Sequence, residues 1–449
     1  MFSRVLVANR GEVAVRVIRA LHELGIEAVA VYSTADAGAL HTRLADRAVC
    51  IGPPSASASY LNIPSVVAAG ETTGCDAVHP GWGFLAENPE FVRACEDNEL
   101  VFIGPDADVM ARMGDKVEAK RELADAGVPL VPGTDSVELD GARDAAAEIG
   151  YPVLLKAAAG GGGKGMRIVE TAEELEAAFE RASGEALAAF GDGTIYLEKL
   201  IAPARHVEIQ VLCDADGGVL TLGERECSIQ RRHQKLIEES PSPGLDERTR
   251  EAMENDVARA CRAIGYLNAG TFEFLLSPGG AYYFIELNAR LQVEHPVSEL
   301  VTGIDIVREQ LRIAAGEQLH ASGRAPRRGH AVEVRINAED PSRGFAPAPG
   351  VIERFRPPLG PGIRLDTHVE EGAVIPPHYD SLLAKLIVWD ETRPLAIERT
   401  LRALGELDVR GIPTTRDLAI EILGSEEFRS GRYSTTFLEE KRLAAVGAA

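Results

Sequence analysis

The sequence predicts an α/β protein made of three consecutive units. The first unit alternates short apolar runs with apolar residues at helical spacing, a pattern typical of a parallel sheet with helices on its faces. A central unit carries a glycine run and two strand-like segments, and a final unit from His330 has short strand patterns broken by proline and glycine. The length of 449 residues suits about three domains. We place them at residues 1–112, 113–328 and 329–449, with a small lobe at about 128–198.

The first unit is predicted to be a series of strand–helix–strand repeats. Residues 5–8 and 28–32 are strand-like, and 77–79 and 101–103 are further short strands. Between the first two runs, Gly25 ends a helix whose apolar residues are Val13, Val17, Leu21 and Leu24. The first turn contains no GxGxxG, so dinucleotide binding is disfavoured.

Charge and composition exclude several classes of protein. Lys and Arg number 47 against 69 Asp and Glu, which gives a net charge of −22. General electrostatics therefore oppose nucleic-acid binding, and an anionic substrate has to be gathered by local cations. The start carries no signal-peptide pattern, and no apolar run is long enough for a membrane span.

The cysteines predict neither zinc binding nor a disulfide framework. No two of them have CxxC spacing, so free thiols in a reducing cytoplasm are expected. The six positions are Cys50, Cys75, Cys95, Cys213, Cys227 and Cys261.

The glycine run at residues 160–165 is a candidate phosphate-binding loop. A flexible hairpin is the alternative, but consecutive glycines cost chain entropy and suit a close approach of backbone N–H groups to an anion. A P-loop is disfavoured, because glycine follows Lys164 where serine or threonine is needed, and because a strand rather than a helix follows the loop. Lys116 and Lys156 are candidate cations for phosphate oxygens.

A predicted hairpin brings two glutamates together. Residues 271–276 and 281–287 are strand-like and flank a Ser-Pro-Gly-Gly turn. If the hairpin centres between Gly279 and Gly280, Glu273 lies opposite Glu286, with Cβ atoms roughly 5 Å apart. Two carboxylates there repel by about 3 kcal/mol at an effective dielectric of 20. Mg²⁺ between them would remove the repulsion, and two carboxylates with substrate phosphates commonly hold this ion.

A polar face is predicted to continue beyond this hairpin. Polar residues recur at every second position, which in extended backbone gives one polar and one apolar face. A solvated edge strand is the alternative, but carboxylates, an amide and a guanidinium together favour a reactive site. The polar positions are Glu286, Asn288, Arg290, Gln292 and Glu294.

In the residues of this polar face and in those around it, the chain resembles the biotin carboxylases, the ATP-grasp subunits of acetyl-, propionyl- and pyruvate-type carboxylases. The segment Ile-Glu-Leu-Asn-Ala-Arg-Leu-Gln-Val-Glu-His-Pro at 285–296 carries the resemblance. Supporting segments span nearly the whole chain in order, at 8–12, 79–85, 113–116, 160–165, 224–235 and 335–340. Trp82 departs from the tyrosine often found at its position in the family.

The resemblance implies an ATP-grasp fold with an N-terminal parallel α/β domain, a lid subdomain and a β-rich C-terminal domain. It implies ATP with Mg²⁺ or Mn²⁺, bicarbonate, and biotin borne by a carrier protein. The implied reaction phosphorylates bicarbonate to carboxyphosphate and transfers the carboxyl group to biotin. Either released phosphate or Glu294 takes the biotin proton, and the sequence leaves both open.

The resemblance also implies roles for individual residues. Those implied for ATP are Lys116, Lys156, Gly162, Gly163, Glu198, Lys199, Leu200, Ile201, His206, Gln230, His233, Glu273 and Glu286. The implied metal ligands are Glu273, Glu286 and Asn288. Those implied for bicarbonate are Lys235, Arg290, Gln292 and Val293. Glu294 is implied as general base and Arg335 as the biotin contact, and with Arg290 and Lys235 they form the catalytic set.

Three other functions compete with this interpretation. Another ATP-grasp ligase, of the carbamoyl-phosphate or purine-pathway kind, would share the fold but lack the polar face from Arg290 to Glu294. A regulatory paralogue that only binds nucleotide would have lost the base or a metal ligand, and every such position is filled. An NAD-dependent enzyme is disfavoured by the missing glycine fingerprint.

The partners are expected on separate chains. Biotin is usually attached to a lysine between two methionines, and none of the five methionines here neighbours a lysine. A biotin carboxyl carrier protein and a carboxyltransferase are therefore expected as other polypeptides, the chain itself as a homodimer, and neither nucleic acid nor membrane as a partner.

Overall fold

The computed structural model describes residues 1–158 and 166–441. Its first unit contains a five-stranded sheet with strand order β3-β2-β1-β4-β5, and every neighbouring pair is parallel. The predicted parallel α/β unit is confirmed. Its elements are β1 (Arg4–Val7), α1 (Gly11–Glu23), β2 (Glu27–Ser33), α2 (Leu40–Leu44), β3 (Arg47–Gly52), α3 (Ile63–Thr73), β4 (Ala77–His79), α4 (Pro89–Asp97), β5 (Val101–Phe102) and α5 (Ala107–Gly114).

After helix α6 (Lys116–Asp125), a separate small lobe begins. Its sheet has strand order β6-β9-β7-β8, and alternate apolar side chains pack against the two helices in a core of their own. The lobe contains β6 (Gly133–Val137), α7 (Leu139–Ile149), β7 (Val153–Ala157), β8 (Arg167–Val169), α8 (Leu175–Phe190) and β9 (Ile195–Lys199).

A large antiparallel sheet follows the lobe. Its strands are joined along the chain mostly as hairpins, and helix α9 covers one face. The elements are β10 (Arg205–Cys213), β11 (Val219–Arg231), β12 (Gln234–Ser240), α9 (Glu247–Ile264), β13 (Asn268–Leu276), β14 (Tyr282–Asn288), α10 (His295–Thr302), α11 (Ile306–Ala314) and β15 (Gly323–Arg324).

The C-terminal part extends this same sheet. Strand β12 pairs with β16, so the order runs β14-β13-β10-β11-β12-β16-β23-β21. Residues 341–362 are rich in proline and glycine, and the strands within them are only two or three residues long. The elements are β16 (His330–Asn337), β17 (Glu339–Asp340), β18 (Ala346–Pro347), β19 (Gly350–Val351), β20 (Arg354–Arg356), β21 (Ile363–Thr367), β22 (Val374–Ile375), β23 (Leu382–Asp390), α12 (Arg393–Glu406), β24 (Asp408–Arg410), α13 (Arg416–Gly424) and α14 (Glu426–Arg429).

The predicted hairpin is present, with Glu273 directly opposite Glu286. Its pairing is not uniform, however, because Phe274 pairs with Phe284 and Ile285 is an extra residue in β14. The prediction of one extended strand through Glu294 is wrong. Strand β14 ends at Asn288, and Glu294 has φ −82° and ψ 9° at the start of α10.

Within the described residues, none of the helices is both long and apolar enough to cross a membrane.

Candidate active site

A cleft of about 840 Å³ lies between the lobe and the large sheet, and Trp82 of the first unit and Arg335 of the C-terminal part also line it. Most of the residues singled out from the sequence meet here. They are Lys116, Lys156, Glu198, His206, Gln230, His233, Lys235, Glu273, Glu286, Asn288, Arg290, Gln292, Val293, Glu294 and Arg335.

Strand alternation explains why polar side chains reach this cleft. In β10, the odd-numbered Val207 and Ile209 pack with α9 in the apolar core. Because successive side chains of a strand point to opposite faces, the even-numbered His206 and Glu208 lie on the other face. Glu208 pairs with Glu273 of β13, which places a further carboxylate beside the predicted pair.

The ammonium of Lys235 lies at the centre of three carboxylates. Its Nζ donates to Glu208 at 2.6 Å, to Glu273 at 3.0 Å and to Glu294 at 2.5 Å. Burial opposes the charge of Lys235, but the carboxylates outweigh burial and raise its pKa well above the usual range. The lysine is therefore a fixed cation that joins Glu273 of the carboxylate pair to Glu294, the predicted base.

Glu294 is fully buried and held by cations on two sides. Arg335 Nη2 donates to Glu294 at 2.9 Å, and Arg335 Nε donates to Glu238 at 2.6 Å. Burial disfavours the ionised form of Glu294, but Lys235, Arg335 and Arg225 overcome burial and hold its pKa well below the usual range. In this state Glu294 is an ionised proton acceptor whose basicity is suppressed by its partners.

The polar side chains after β14 converge although the chain is no longer extended. Arg290 donates to the Asn288 Oδ1 at 2.8 Å and to the Gln292 Oε1 at 3.1 Å. Gln292 donates in turn to Glu273 at 3.1 Å. Glu87 of the first unit accepts from Arg290 Nε at 2.7 Å and from the Ala289 N–H at 3.1 Å, which fixes the end of the strand. Side-chain hydrogen bonds therefore assemble this group, rather than strand alternation.

Glu273 and Glu286 form a set of oxygen ligands that fits a hard divalent cation. Burial raises the pKa of Glu286, and the negative charge of Glu273 adds to the shift. A cation between the two would favour the ionised form of Glu286. Asn288 differs, because its carbonyl oxygen already accepts from Arg290 and reaches a cation only when that contact is given up.

The lobe end of the cleft contains two lysines paired with one buried carboxylate. Lys156 Nζ donates to Glu198 at 2.6 Å, and Lys120 also donates to Glu198. Lys116 lies in the same part of the cleft. Burial opposes the ionisation of Glu198, but Lys156 and Lys120 lower its pKa. These cations suit polyphosphate oxygens.

Some of the other residues predicted for nucleotide binding do not line the cleft. The Lys199 ammonium donates to the Gly150 carbonyl at 2.8 Å, so its side chain supports the lobe backbone. Leu200 and Ile201 follow β9 and are half-buried outside the residues that line the cleft. Gly162 and Gly163 lie outside the described residues.

Two histidines and a glutamine line the middle of the cleft. His206 Nε2 pairs with Glu273 at 2.8 Å, and the Gln230 amide lies 3.3 Å from His206 Nδ1. Burial lowers the pKa of His206, but Glu273 outweighs burial and raises it. His233 lies nearby, and burial lowers its pKa.

Several charged residues of the site were not predicted from the sequence. Glu208 could have been found, because it alternates with His206 along β10. Arg225 is fully buried and donates to Glu208, and Glu238 pairs with Arg335. Arg225 lies directly opposite Glu208 in the neighbouring strands β10 and β11. Glu238 meets Arg335 through the long-range pairing of β12 with β16, which sequence spacing does not indicate.

This fold, with a lysine-bearing lobe across a cleft from a carboxylate pair, defines an ATP-dependent ligase of the ATP-grasp class. Three family models match consecutive parts of the chain. Residues 1–110 match the biotin carboxylase N-terminal domain, 115–322 the ATP-binding domain of the carbamoyl-phosphate synthase L chain, and 333–440 the biotin carboxylase C-terminal domain.

Relatives extend the similarity to whole chains. A biotin carboxylase of Nostoc sp. is 51% identical over 98% of this chain and 99% of its own length. Biotin carboxylase 1 of Bacillus subtilis is 50% identical over 98% of this chain and 98% of its own length. The biotin carboxylase domain dimer of Hydrogenobacter thermophilus 2-oxoglutarate carboxylase, solved with MgADP, ADP and bicarbonate, superposes with a TM-score of 0.93 at 49% identity over 98% of both chains. The chain belongs to the biotin carboxylase family, whose members carboxylate biotin with ATP and bicarbonate.

Proposed function

We propose that this chain carboxylates biotin carried by a separate protein, and that the cleft residues divide the work between a phosphoryl-transfer end and a carboxyl-transfer end. The observation that carries the proposal is the position of Lys235, whose ammonium contacts both Glu273 and Glu294. One side chain thereby joins the carboxylate that faces a metal to the carboxylate that takes a proton.

At the phosphoryl-transfer end, Lys116 and Lys156 neutralise ATP phosphates, with Gly162 and Gly163 assigned to the same task. Residues 198–201, His206, Gln230 and His233 line the nucleotide. Mg²⁺ or Mn²⁺ held by Glu273 and Glu286, with Asn288 as a further ligand, would neutralise charge on the transferring phosphoryl group. Positioning and electrostatic stabilisation are the main contributions of a protein to such a transfer.

At the carboxyl-transfer end, bicarbonate binds to Lys235, Arg290, Gln292 and the backbone of Val293. Glu294 accepts the bicarbonate proton while a bicarbonate oxygen attacks the γ-phosphorus and ADP leaves. Binding of the anion to Lys235 draws the charge of that ammonium away from Glu294, which raises the basicity of its carboxylate.

The carboxyl group then passes from carboxyphosphate to a ureido nitrogen of biotin. The carbon–nitrogen bond forms as the bond to the phosphate oxygen breaks, and phosphate leaves. Arg335, held between Glu238 and Glu294, faces the cleft and stabilises the negative charge on the ureido oxygen when the nitrogen loses its proton. The acceptor of that proton is the released phosphate or, once it has passed on the bicarbonate proton, Glu294.

The carrier protein and the carboxyltransferase are separate chains, and the enzyme acts as a homodimer. The six cysteines are free thiols, as suits a reducing compartment, and we place the enzyme in the cytoplasm. The final acceptor is selected by the transferase.

The test is ADP formation measured with and without bicarbonate and biotin. Turnover that requires both supports the proposal. A rate of ATP cleavage that does not depend on bicarbonate, or carboxylation of a different acceptor, would contradict the proposal.

A further inference from the structure

The turn that carries Val293 and Glu294 has two long backbone hydrogen bonds, from His295 N–H to Gln292 O and from Val297 N–H to Glu294 O, each 3.3 Å. Helix α10 begins at His295 without a side-chain cap hydrogen bond, and side chains supply further contacts to the turn before it. Gln292 O accepts from the His295 Nδ1 at 2.8 Å. Val293 O accepts from the Lys385 Nζ at 2.8 Å.

Lys385 comes from the C-terminal part, on β23, and its side chain is 0% exposed. Its ammonium lies 3.1 Å from Glu12 Oε2 and 4.0 Å from Asp366. Burial opposes the charge on Lys385, but Glu12, Glu333 and Asp366 raise its pKa, so the ammonium is charged. Apolar residues of similar volume often stabilise a protein core as well as a buried ion pair does, so stability alone does not explain a lysine at this position. The contact with Val293 supplies a reason for a lysine here.

Glu12 connects the same lysine to the wall of the cleft. It lies in the first turn of α1, is buried, and accepts from the Trp82 Nε1 at 3.0 Å through its other carboxylate oxygen. Trp82 lines the cleft beside Gly83 and Asp380. An unbroken line of contacts therefore runs from Trp82 through Glu12 and Lys385 to Val293, across three parts of the chain.

We propose that Lys385, held by Glu12, is a positioning residue for the bicarbonate step: its ammonium fixes the Val293 carbonyl and hence the peptide that joins Val293 to Glu294. This inference rests on the proposed function. The orientation of that peptide sets both the direction of the Glu294 side chain and the backbone surface that faces bicarbonate. Misplacement of a reacting group by about 1 Å can cost on the order of a hundredfold in rate.

The test compares variants that separate the carbonyl contact from the ion pair. Glu12→Gln keeps the lysine and its bond to Val293, so the KM for bicarbonate changes less than about threefold. Lys385→Met with Glu12→Gln removes the bond without leaving the Glu12 charge unpaired, and Asp366 keeps Arg364 as its partner. In that double variant the KM for bicarbonate rises at least about tenfold, while the KM for ATP stays within about twofold.

A matched control distinguishes positioning from general loosening of the fold. Arg250 is also buried in an ion pair, with Glu224 at 2.7 Å, and its hydrogen bonds go to Glu224, Glu247 and Leu245. Arg250→Met should lower the midpoint of thermal unfolding and leave the KM for bicarbonate unchanged. A bicarbonate KM that rises equally in this control would overturn the positioning role.

Folding of the double variant is checked by thermal unfolding. If it does not fold, Lys385→Gln with Glu12→Gln replaces it, since the glutamine side chain is polar and uncharged and is one bond shorter than that of lysine, which moves its nitrogen away from Val293. A wild-type KM for bicarbonate in either folded variant refutes the positioning role. Failure of the proposed function looks different, because the wild-type chain itself would then show no bicarbonate-dependent ATP cleavage.

Discussion

Glu273 and Glu286 face each other across antiparallel strands, and Glu273 lies within hydrogen-bond distance of His206, Lys235 and the Asn288 amide. Burial raises the pKa of Glu286, whereas His206 and Lys235 overcome burial and lower that of Glu273. The two carboxylates therefore differ in charge environment at the proposed metal site, although they stand directly opposite each other in the hairpin.

We predict that Glu286→Gln raises the Mg²⁺ concentration needed for half-maximal activity by about tenfold or more, because one charged ligand is lost. Glu273→Gln should do the same and also lower thermal stability, since Lys235 and His206 lose a partner. Titration of Mg²⁺ at saturating ATP measures the effect. Glu90→Gln, exposed on α4, is the control. Unchanged metal dependence in both site variants would refute the assignment.

Glu294→Gln should abolish bicarbonate-dependent ATP cleavage and spare ATP binding. The amide cannot accept the bicarbonate proton, but the lysines beside Glu198 are untouched. A loss of at least about a hundredfold in kcat is expected for removal of a general base. Phosphate release measures turnover and calorimetry measures nucleotide binding. Near-normal turnover would rule out the base role.

A pH dependence of stability is expected from Glu238. Burial raises its pKa from an ordinary 4.5 to about 7, with Arg335 and Lys235 opposing the shift and Glu294 adding to it. Glu333 lies directly opposite on β16. Between pH 4.5 and 7 the folded state therefore binds more protons at this site than the unfolded state. The contribution of Glu238 to the free energy of unfolding thus falls as the pH rises through this window.

Glu238→Gln should remove this contribution. The free energy of unfolding of the wild type, minus that of the variant, is expected to decrease as the pH rises from 5 to 7, because both pH values lie within the titration window of about 4.5 to 7. Urea unfolding at several pH values measures it. Glu421→Gln, exposed on α13, should give a constant difference. A constant difference for Glu238→Gln as well would show that its carboxyl group does not titrate in this range.

The lobe is predicted to close over bound ATP and to exclude water from carboxyphosphate. Amide hydrogen exchange in β7 and β8 should slow when a non-hydrolysable ATP analogue saturates the enzyme. Exchange in α12 of the C-terminal part should not change. Equal exchange in the lobe with and without nucleotide would refute closure. The glycine run at 160–165, from which the lid was inferred, lies outside the described residues.

Short-range patterns in the sequence predicted much of this site. Strand alternation and a turn centred between Gly279 and Gly280 predicted Glu273 opposite Glu286. In the structure the turn is centred on Gly279, and β14 contains Ile285 as an extra, unpaired residue. The two deviations compensate, so the predicted pair is correct while the uniform register is not. The first unit was predictable for the same reason, because buried parallel strands are local apolar runs.

Contacts between residues that are far apart in the sequence could not be predicted from such short-range patterns. The pairing of β12 with β16 brings Glu238 beside Arg335, and the packing of β23 brings Lys385 to Val293. Neither is encoded by periodicity, since each depends on how distant strands share one sheet. The end of β14 at Asn288 was also missed. Glu87 from the first unit fixes that end, and its distance in sequence hides the contact.

The last prediction concerns the carrier. The methionines of the chain have no lysine neighbours, so a biotin-accepting Met-Lys-Met site is absent from this sequence. The purified protein should therefore carry no covalent biotin, as intact mass and a streptavidin blot can check. A biotin-sized mass increment on a lysine would contradict the prediction directly.

Free biotin should be a poor substrate, and a biotinylated carrier domain should accelerate turnover. Tethering raises the effective concentration of biotin, and contacts made by the carrier away from the ureido ring contribute binding energy that lowers the barrier. The expected gain in kcat/KM is about a hundredfold or more. The unbiotinylated carrier, added together with free biotin, is the matched control, because it supplies the protein surface without the tether. If that mixture were as fast as the biotinylated carrier, tethering would have no part in the acceleration. If neither exceeded free biotin alone, the cleft beside Arg335 would not be a site for carrier-borne biotin.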